Sequence, residues 1–412
     1  MGNPLTKALF ILLVLSNIAN AEDAPDWGAE TLLGDWCGLR TSLYEKGVTV
    51  EITHKSDLLK NTKGGIRVGS VWLANTEAAI NMDLGKLVGW DGGTIFIQYH
   101  SQHGRQAKDF NGSYVGSFAG VDNIETGINN GQFYQAWLQQ SMAEDRFSVL
   151  AGLYAIDSEF YVTDTSGLFL QPPYGMSAEM AQTGQNGPPV FPMGALGVRM
   201  RYASPYVYFQ GAVTDGVPGD LNKPRGTQIR LDKGDGTLSI LELGYMPLRD
   251  GEDEPISKAA VGLWSYSTPG FDLVDPTIRP LDRGFYFLAE HTLRAERDHP
   301  GQGLSGFVRF GKVNEDIYQA GRSGSVGLHY KGLFDGRDDD EAGIAVTQSR
   351  ASDKFRQLNS SDPSETVIEI AYREQMLPWI SLQLSVQRII NPNMDVTLKD
   401  ASIVGARLEL TL

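Results

Sequence analysis

The chain has 412 residues and a formal net charge of −15, from 35 lysines and arginines against 50 aspartates and glutamates. This acidic balance argues against a nucleic-acid partner, which requires clustered positive charge. A single cysteine excludes an intramolecular disulfide and multi-thiol zinc sites, whereas 47 glycines and 10% aromatic residues are typical of a long β-protein with many turns.

The N-terminus has the pattern of an export signal. Lys7 precedes an apolar run over residues 8–15, and small residues then fit the cleavage preference of a signal peptidase. The run is much shorter than the roughly 20 apolar residues that a membrane-spanning helix requires. We therefore predict a signal peptide over residues 1–21 and a mature chain that begins at Glu22.

The next segment, residues 22–47, contains one predicted helix. Between Thr31 and Lys46, apolar residues recur at helical spacing, and Gly47 can adopt the left-handed conformation that ends a helix. The apolar positions are Leu32, Trp36, Leu39 and Leu43. We predict a short amphipathic helix here.

From Val48 onward the hydrophobic period is two, which predicts strands. Between Trp72 and Leu84, for example, mostly apolar residues occupy even positions and polar residues such as Glu77 occupy odd ones. Sixteen comparable stretches lie near 48–58, 71–84, 93–103, 131–141, 146–157, 194–203, 205–215, 237–247, 257–267, 283–294, 304–313, 323–333, 342–351, 365–375, 378–389 and 400–412.

An even number of alternating strands, each about ten residues long, is typical of outer-membrane barrels. The mean hydropathy of −0.23 agrees, because such strands mix lipid-facing and lumen-facing residues. The predicted fold class is all-β, a transmembrane antiparallel β-barrel of about 16 strands over residues 48–412.

One long connection interrupts this pattern. Residues 161–193 contain five prolines and several glycines, too many for a strand. Long loops without secondary structure are usually functional, so we predict that this one folds into the lumen and constricts the pore. The alternative is a loop exposed on the extracellular surface.

Sites for catalysis or metals are scarce. The six histidines are scattered, and His100 and His103 would point to opposite faces of one strand. The acidic stretches 232–236 and 335–341 lack a complete calcium-loop pattern and are interpreted as hydrophilic turns, with a weak cation site as the alternative. We predict no catalytic residue, no cofactor and no metal.

Polar and aromatic residues share the predicted lumen-facing side of several strands. Amides and charged groups exchange hydrogen bonds with sugar hydroxyls, while aromatic rings contact the C–H faces of the sugar ring. The candidate pore-lining residues are Glu77, Gln98, His100, Gln135, Trp137, Arg199 and Arg201. For Trp137 the alternative is simple packing beneath a loop.

These features favour a water-filled channel for passive diffusion of small hydrophilic solutes, with mono- or oligosaccharides as the expected cargo. An exported polysaccharide-binding β-protein is one alternative. An outer-membrane enzyme is another, but it would require a Ser/His/acid constellation that the sequence does not display.

Several motifs occur in the order found in one family. Gly34-Asp35-Trp36-Cys37-Gly38-Leu39-Arg40 looks like a GDWGGLR signature, and Pro378-Trp379 with Gln387-Arg388-Ile389-Ile390-Asn391-Pro392 resembles a PW…QYIINP segment. Similar matches lie at 167–170, 195–199, 215–219 and 330–337. The chain resembles the carbohydrate-selective porins of Gram-negative outer membranes, the OprB type.

This resemblance implies a sixteen-stranded barrel with a periplasmic N-terminal helix, pore-constricting loops and surrounding outer-membrane lipid. Three departures stand out. Cys37 replaces a family glycine, Leu150 lies where the family has a polar strand, and Leu412 ends the chain where an aromatic is common. We expect a less charged lining, while a monomer and a homotrimer both remain open.

Overall fold

The computed structural model describes residues 24–249, 254–297 and 299–412. Within these ranges sixteen antiparallel strands form a closed barrel, in which each strand pairs with its neighbours along the chain and the first pairs with the last. The predicted fold class is confirmed. The predicted signal peptide, residues 1–21, lies outside the described residues.

All sixteen predicted stretches coincide with strands. The strands are β1 Val48–Gly65, β2 Gly69–Asp83, β3 Gly93–Gly104, β4 Asn130–Met142, β5 Phe147–Tyr154, β6 Ala195–Ala203, β7 Val207–Asp215, β8 Thr237–Tyr245, β9 Ser257–Tyr266, β10 Arg283–Ala295, β11 Gly303–Val313, β12 Ala320–Lys331, β13 Glu341–Ala351, β14 Ser364–Leu377, β15 Ile380–Ile390 and β16 Lys399–Thr411.

Helices are short and lie between the strands or before them. They are α1 Trp27–Glu30, α2 Leu39–Glu45, α3 Leu84–Val88, α4 Ala178–Ala181 and α5 Asp353–Leu358. Single helical turns of other types occur at Gln106–Lys108, Asn111–Val115, Ile156–Ser158, Pro172–Tyr174 and Pro392–Met394. No helix in the described ranges is long and apolar enough to span a membrane.

The two-residue period divides every strand between the two faces of the barrel wall. On β2, Trp72 is exposed on the outer face, whereas Asn75 is fully buried on the inner face. The outer face carries large exposed apolar side chains, including Met200, Phe209, Leu243, Leu263, Leu384 and Val386. The prediction of which alternate residues face outward and which face inward is therefore correct on these strands.

The predicted short helix in residues 22–47 is present, but it begins later than the apolar spacing indicates. Trp36, Cys37 and Gly38 have φ angles of 49°, 60° and 88°, which are left-handed and cannot continue an α-helix. The chain therefore turns sharply here, and α2 begins only at Leu39.

This N-terminal turn contacts the end of the last strand through Arg40. The guanidinium donates to the carbonyl oxygen of Leu412 at 2.6 Å and to Thr31 Oγ1 at 2.8 Å. It also lies over the Trp36 ring, 4.1 Å from the centroid, and is 5.1 Å from the Trp27 centroid. The N-terminal turn and the end of β16 are thus joined at one end of the barrel.

Long connections are concentrated at the other end of the barrel. They are L2 (105–129), L3 (155–194), L4 (216–236) and L5 (267–282), followed by the shorter L6 (314–319). At the end that carries Leu412, several connections are brief, such as 143–146 and 378–379. Outer-membrane barrels have short periplasmic turns and longer extracellular loops, which assigns L2 to L6 to the outside.

Candidate functional site: the lumen wall and its loops

A row of hydrogen-bonded side chains crosses the inner face of β2, β3 and β4. Gln98 Nε2 donates to Glu77 Oε2 at 3.1 Å, Gln135 Nε2 donates to Gln98 Oε1 at 3.1 Å, and Trp137 Nε1 donates to Gln135 Oε1 at 3.3 Å. Lys55 Nζ lies 3.8 Å from Glu77 Oε1. We call Glu77, Gln98, Gln135 and Trp137 the polar ladder, since it joins four of the predicted residues.

Trp137 adds an aromatic surface to this ladder. Its ring stacks on Phe96 with centroids 5.1 Å apart, and one edge packs against the apolar cluster that contains Leu150. Leu150 is only 1% exposed, so it contributes packing and not a wetted surface. Trp137 itself remains partly exposed, which distinguishes it from a ring that is fully covered by a loop.

The two predicted arginines on β6 have different surroundings. Arg199 is 3% exposed and forms a two-pronged ion pair with Glu159 of L3, with both N···O distances 2.8 Å. Burial would raise the pKa of the Glu159 carboxyl, but Arg199 outweighs burial and holds it below its usual range. Arg201 is partly exposed, donates to Gln210 Oε1 at 3.2 Å and lies over the Tyr208 ring.

His100 lies on the inner face of β3 but is fully covered. Its ring stacks on Tyr134 at 5.0 Å and meets the edge of Phe191 from L3 at 5.1 Å. His103 lies on the opposite face of the strand, and the described residues contain no group of three or more His, Cys, Asp or Glu side chains that could hold a metal ion.

On the other side of the lumen, wall glutamates bind the main chain of L3. Glu369 on β14 accepts from the amides of Leu170 at 2.9 Å and Gln171 at 3.1 Å, and from Ser385 Oγ at 2.8 Å. Such charge-assisted bonds are stronger than neutral ones. Two other glutamates repeat this arrangement, Glu290 with the Asp164 and Thr165 amides and Glu242 with the Tyr161 amide.

Wall donors bind the carbonyl groups of the same loop. Arg309 on β11 is 1% exposed and donates to the carbonyl oxygens of Tyr161, Pro173, Tyr174 and Gly175. Gln383 Nε2 donates to the Leu168 carbonyl at 2.6 Å, and Lys258 Nζ donates to the Val162 carbonyl at 2.7 Å. Main-chain atoms of L3 are thereby held from β8 around to β15.

Two glycines of the wall permit this close approach. A Cβ at Gly311 would lie 1.7 Å from Glu179 Oε1 of the loop, and one at Gly343 would lie 2.8 Å from the Phe169 ring. Both distances are below any real Cβ contact, so a larger residue would displace the loop.

L2 binds the wall at the seam between β1 and β16. Arg407 donates to Asp57 Oδ2 at 2.6 Å and to Asn123 of L2 at 2.7 Å, while Asp122 lies 3.5 Å away. Glu125 accepts from the Asn111 amide at 2.9 Å within the loop. Burial, followed by the neighbouring Asp109 carboxylate, raises the pKa of Glu125 to about 7.

The residues predicted from the sequence did not include Glu242, Glu290, Glu369 or Arg309. A signal was present, because each is a charged residue at an inward-facing position of its strand, and of the four only Glu290 has an opposite charge, Lys258, directly across from it. Charges of this kind require a partner when they are buried, and here the partner is the main chain of L3.

Together these features define a class of protein. The barrel has an apolar outer face, a polar inner face and long loops bound inside the wall, which is the architecture of an outer-membrane porin.

Comparison with known proteins gives the family. Residues 73–412 match the model of the carbohydrate-selective porin, OprB family, and the chain belongs to that family. It is 21% identical to Porin B of Pseudomonas aeruginosa, covering 96% of this chain and 94% of that protein. It is 23% identical to the putative porin QuiX of Acinetobacter baylyi, covering 96% of each.

Solved structures agree on the fold. The high-pH structure of Pseudomonas putida OprB is similar with a TM-score of 0.83 at 17% identity, covering 93% of this chain and 99% of that one. The channel DcaP of Acinetobacter baumannii has a TM-score of 0.51 at 11% identity, covering 89% and 97%. The protein is an outer-membrane porin of the carbohydrate-selective family.

Proposed function

We propose that this porin passes small neutral saccharides by passive diffusion, along a path between the polar ladder and loop L3. The observation that carries the proposal is the ladder itself, a row of amides and a carboxylate that ends at the Phe96–Trp137 aromatic pair. No chemical reaction and no cofactor are part of this function.

Accessible surface divides the candidate residues into two roles. Glu77, Gln98, Trp137 and Arg201 are partly exposed, and in this proposal they contact the solute directly. Gln135, Arg199 and His100 are buried and hold their neighbours in position. A few partly exposed contacts are suitable for a pore, because a solute must bind weakly enough to leave again.

The contacts of L3 with β8 to β15 support a constricting role for this loop. Its main chain covers one side of the lumen, and in this proposal the partly exposed ladder residues Glu77, Gln98 and Trp137 form the wetted wall opposite it. Its predicted span of 161–193 is close to the observed connection, which starts at residue 155 because β5 ends at Tyr154.

Charge pairing supports an uncharged cargo. Four basic side chains of the inner face have carboxylate partners within 4 Å: Lys55 with Glu77, Arg199 with Glu159, Arg373 with Glu341 and Arg407 with Asp57. Paired charges present little net field to a passing ion. Hydroxyl groups can still exchange hydrogen bonds with them.

Single-channel recording in a planar bilayer tests the proposal, with maltose-series sugars added to the refolded protein. We expect stepwise currents that sugar blocks, and a roughly threefold to tenfold weaker block in Trp137→Ala, because an aromatic contact contributes about 0.5–1.5 kcal/mol. Trp72→Ala is the matched control, since Trp72 is 47% exposed on the outer face.

Two results would count against this proposal. A well-folded protein that forms no channels, or channels that no sugar blocks, would exclude saccharide diffusion. An equal weakening in Trp137→Ala and Trp72→Ala would exclude the ladder as the contact surface.

A further inference from the structure

A cavity of about 480 Å³ lies at the loop end of the barrel, separate from the polar ladder. Its volume falls within the roughly 300–1,000 Å³ range of small-molecule sites. Loops L3 to L6 line it together, with Gln185, Asp235, Phe271, Arg279, Asp282 and Tyr318 among the lining residues.

One wall of the cavity is an exposed aromatic ring in a fixed position. Phe271 is 60% exposed. The Arg279 guanidinium lies 3.8 Å from the ring centroid and donates to the carbonyls of Gly270 and Pro269. The stack holds the ring in place within L5.

A buried carboxylate with an unused acceptor forms another part of the lining. Asp282 is 4% exposed, and its Oδ2 accepts a hydrogen bond from Tyr318, whose hydroxyl also accepts from the Gly184 amide of L3 at 3.0 Å. Oδ1 has no hydrogen-bond partner within the described part of the chain. An unsatisfied buried acceptor costs about 1–3 kcal/mol, which a hydroxyl donor would recover.

Other ligand classes fit this cavity less well. Asp272 is already paired with Lys354, and the described residues contain no cluster of His, Cys, Asp and Glu suited to a metal ion. Asp282 and Asp235 disfavour an anion. Burial raises the pKa of Asp282 to about 6, so at pH 7 and above its carboxylate is mostly ionised and accepts hydrogen bonds.

We propose that this cavity is an entrance site that binds a neutral mono- or disaccharide before it enters the lumen. Phe271 contacts the C–H face of the sugar ring and Asp282 accepts a hydroxyl hydrogen bond. The site borders the barrel, because Tyr266 of β9 also lines it and its ring is 6.0 Å from that of Trp264 within the wall. This inference rests on the proposed saccharide function.

One-sided addition of sugar to single channels tests the entrance site. We expect Phe271→Ala and Asp282→Asn to weaken binding of a maltose-series sugar added on the loop side by roughly threefold to tenfold. Conductance in sugar-free buffer should be unchanged, because neither residue belongs to the ladder. Phe334→Ala is the matched control, since Phe334 is 54% exposed in a connection at the opposite end of the barrel.

The outcomes separate this inference from the proposed function. If sugar blocks the wild type and Trp137→Ala weakens that block, but Phe271→Ala and Asp282→Asn bind sugar as the wild type does, the entrance site is wrong and the channel function stands. If no sugar blocks the wild type, both are wrong. Phe271→Ala carries the test should Asp282→Asn fail to fold, because the Phe271 ring is largely exposed.

Discussion

Replacing Glu369 with glutamine should loosen loop L3 from the wall. The carboxylate accepts three hydrogen bonds, two from loop amides and one from Ser385. Glutamine keeps one acceptor oxygen and turns an NH₂ group toward the remaining amide, so at least one charge-assisted bond is lost and one buried N–H has no partner. We expect a loss of about 2–4 kcal/mol in loop docking, since each such bond contributes about 1.5–3 kcal/mol.

A loss of this size raises the open population of the loop roughly a hundredfold, because each 1.4 kcal/mol is a factor of ten. Hydrogen exchange of the Leu170 and Gln171 amides measures that population directly, and single-channel current noise reports its effect on the pore. Glu374→Gln is the matched control, as Glu374 lies at the other end of the same strand and pairs with Arg337. Equal protection of the two amides in Glu369→Gln and wild type would show that the Glu369 carboxylate does not hold L3 in place.

Two further predictions concern L2 and the barrel seam. Arg407→Met should lower the free energy of unfolding in urea by about 3–5 kcal/mol, because it leaves the Asp57 charge buried and unpaired. Adding Asp57→Leu should restore most of that loss. Equal losses in the single and double variants would contradict this prediction. The pKa of Glu125 is raised in the docked loop from its ordinary value of 4.5 to about 7, so docked L2 binds more protons than open L2 between these two pH values. The stability of docked L2 should therefore fall as pH rises from about 4.5 to 7 and stay level above pH 7. Exchange protection of the Asn111 amide, corrected for intrinsic exchange rates, measures this stability. Glu125→Gln should abolish the fall.

The strands could be predicted from sequence because lipid and lumen impose opposite demands on alternate residues. On β2 this contrast separates Trp72 from Asn75 without any knowledge of partners. Strand parity also placed the polar ladder on the inner face, since facing depends only on the period of the strand.

The alternation along a strand shows which face of the wall a side chain lies on, but it does not show whether another group covers that side chain. This limited the prediction of the site. His100 and Gln98 share one face of β3, yet only His100 is covered, because Phe191 of L3 packs on it. The contact of Glu369 with Leu170 joins residues 199 positions apart, which no local pattern encodes. The late start of α2 was not predicted for another reason. Tryptophan and cysteine rarely adopt left-handed backbone angles, yet Trp36 and Cys37 do so here.

Part of the attachment of L3 to the wall is made by its own peptide groups, and that part does not depend on which side chains the loop carries. Wall residues such as Glu369, Glu290 and Arg309 bind atoms that every amino acid supplies, apart from the amide that proline lacks. Loop side chains that do not pack on the wall can therefore change, and cargo preference with them, while these main-chain contacts keep the aperture in place. The same division makes L3 a practical segment for redesigning selectivity, provided that the wall residues and the buried loop side chains stay unchanged.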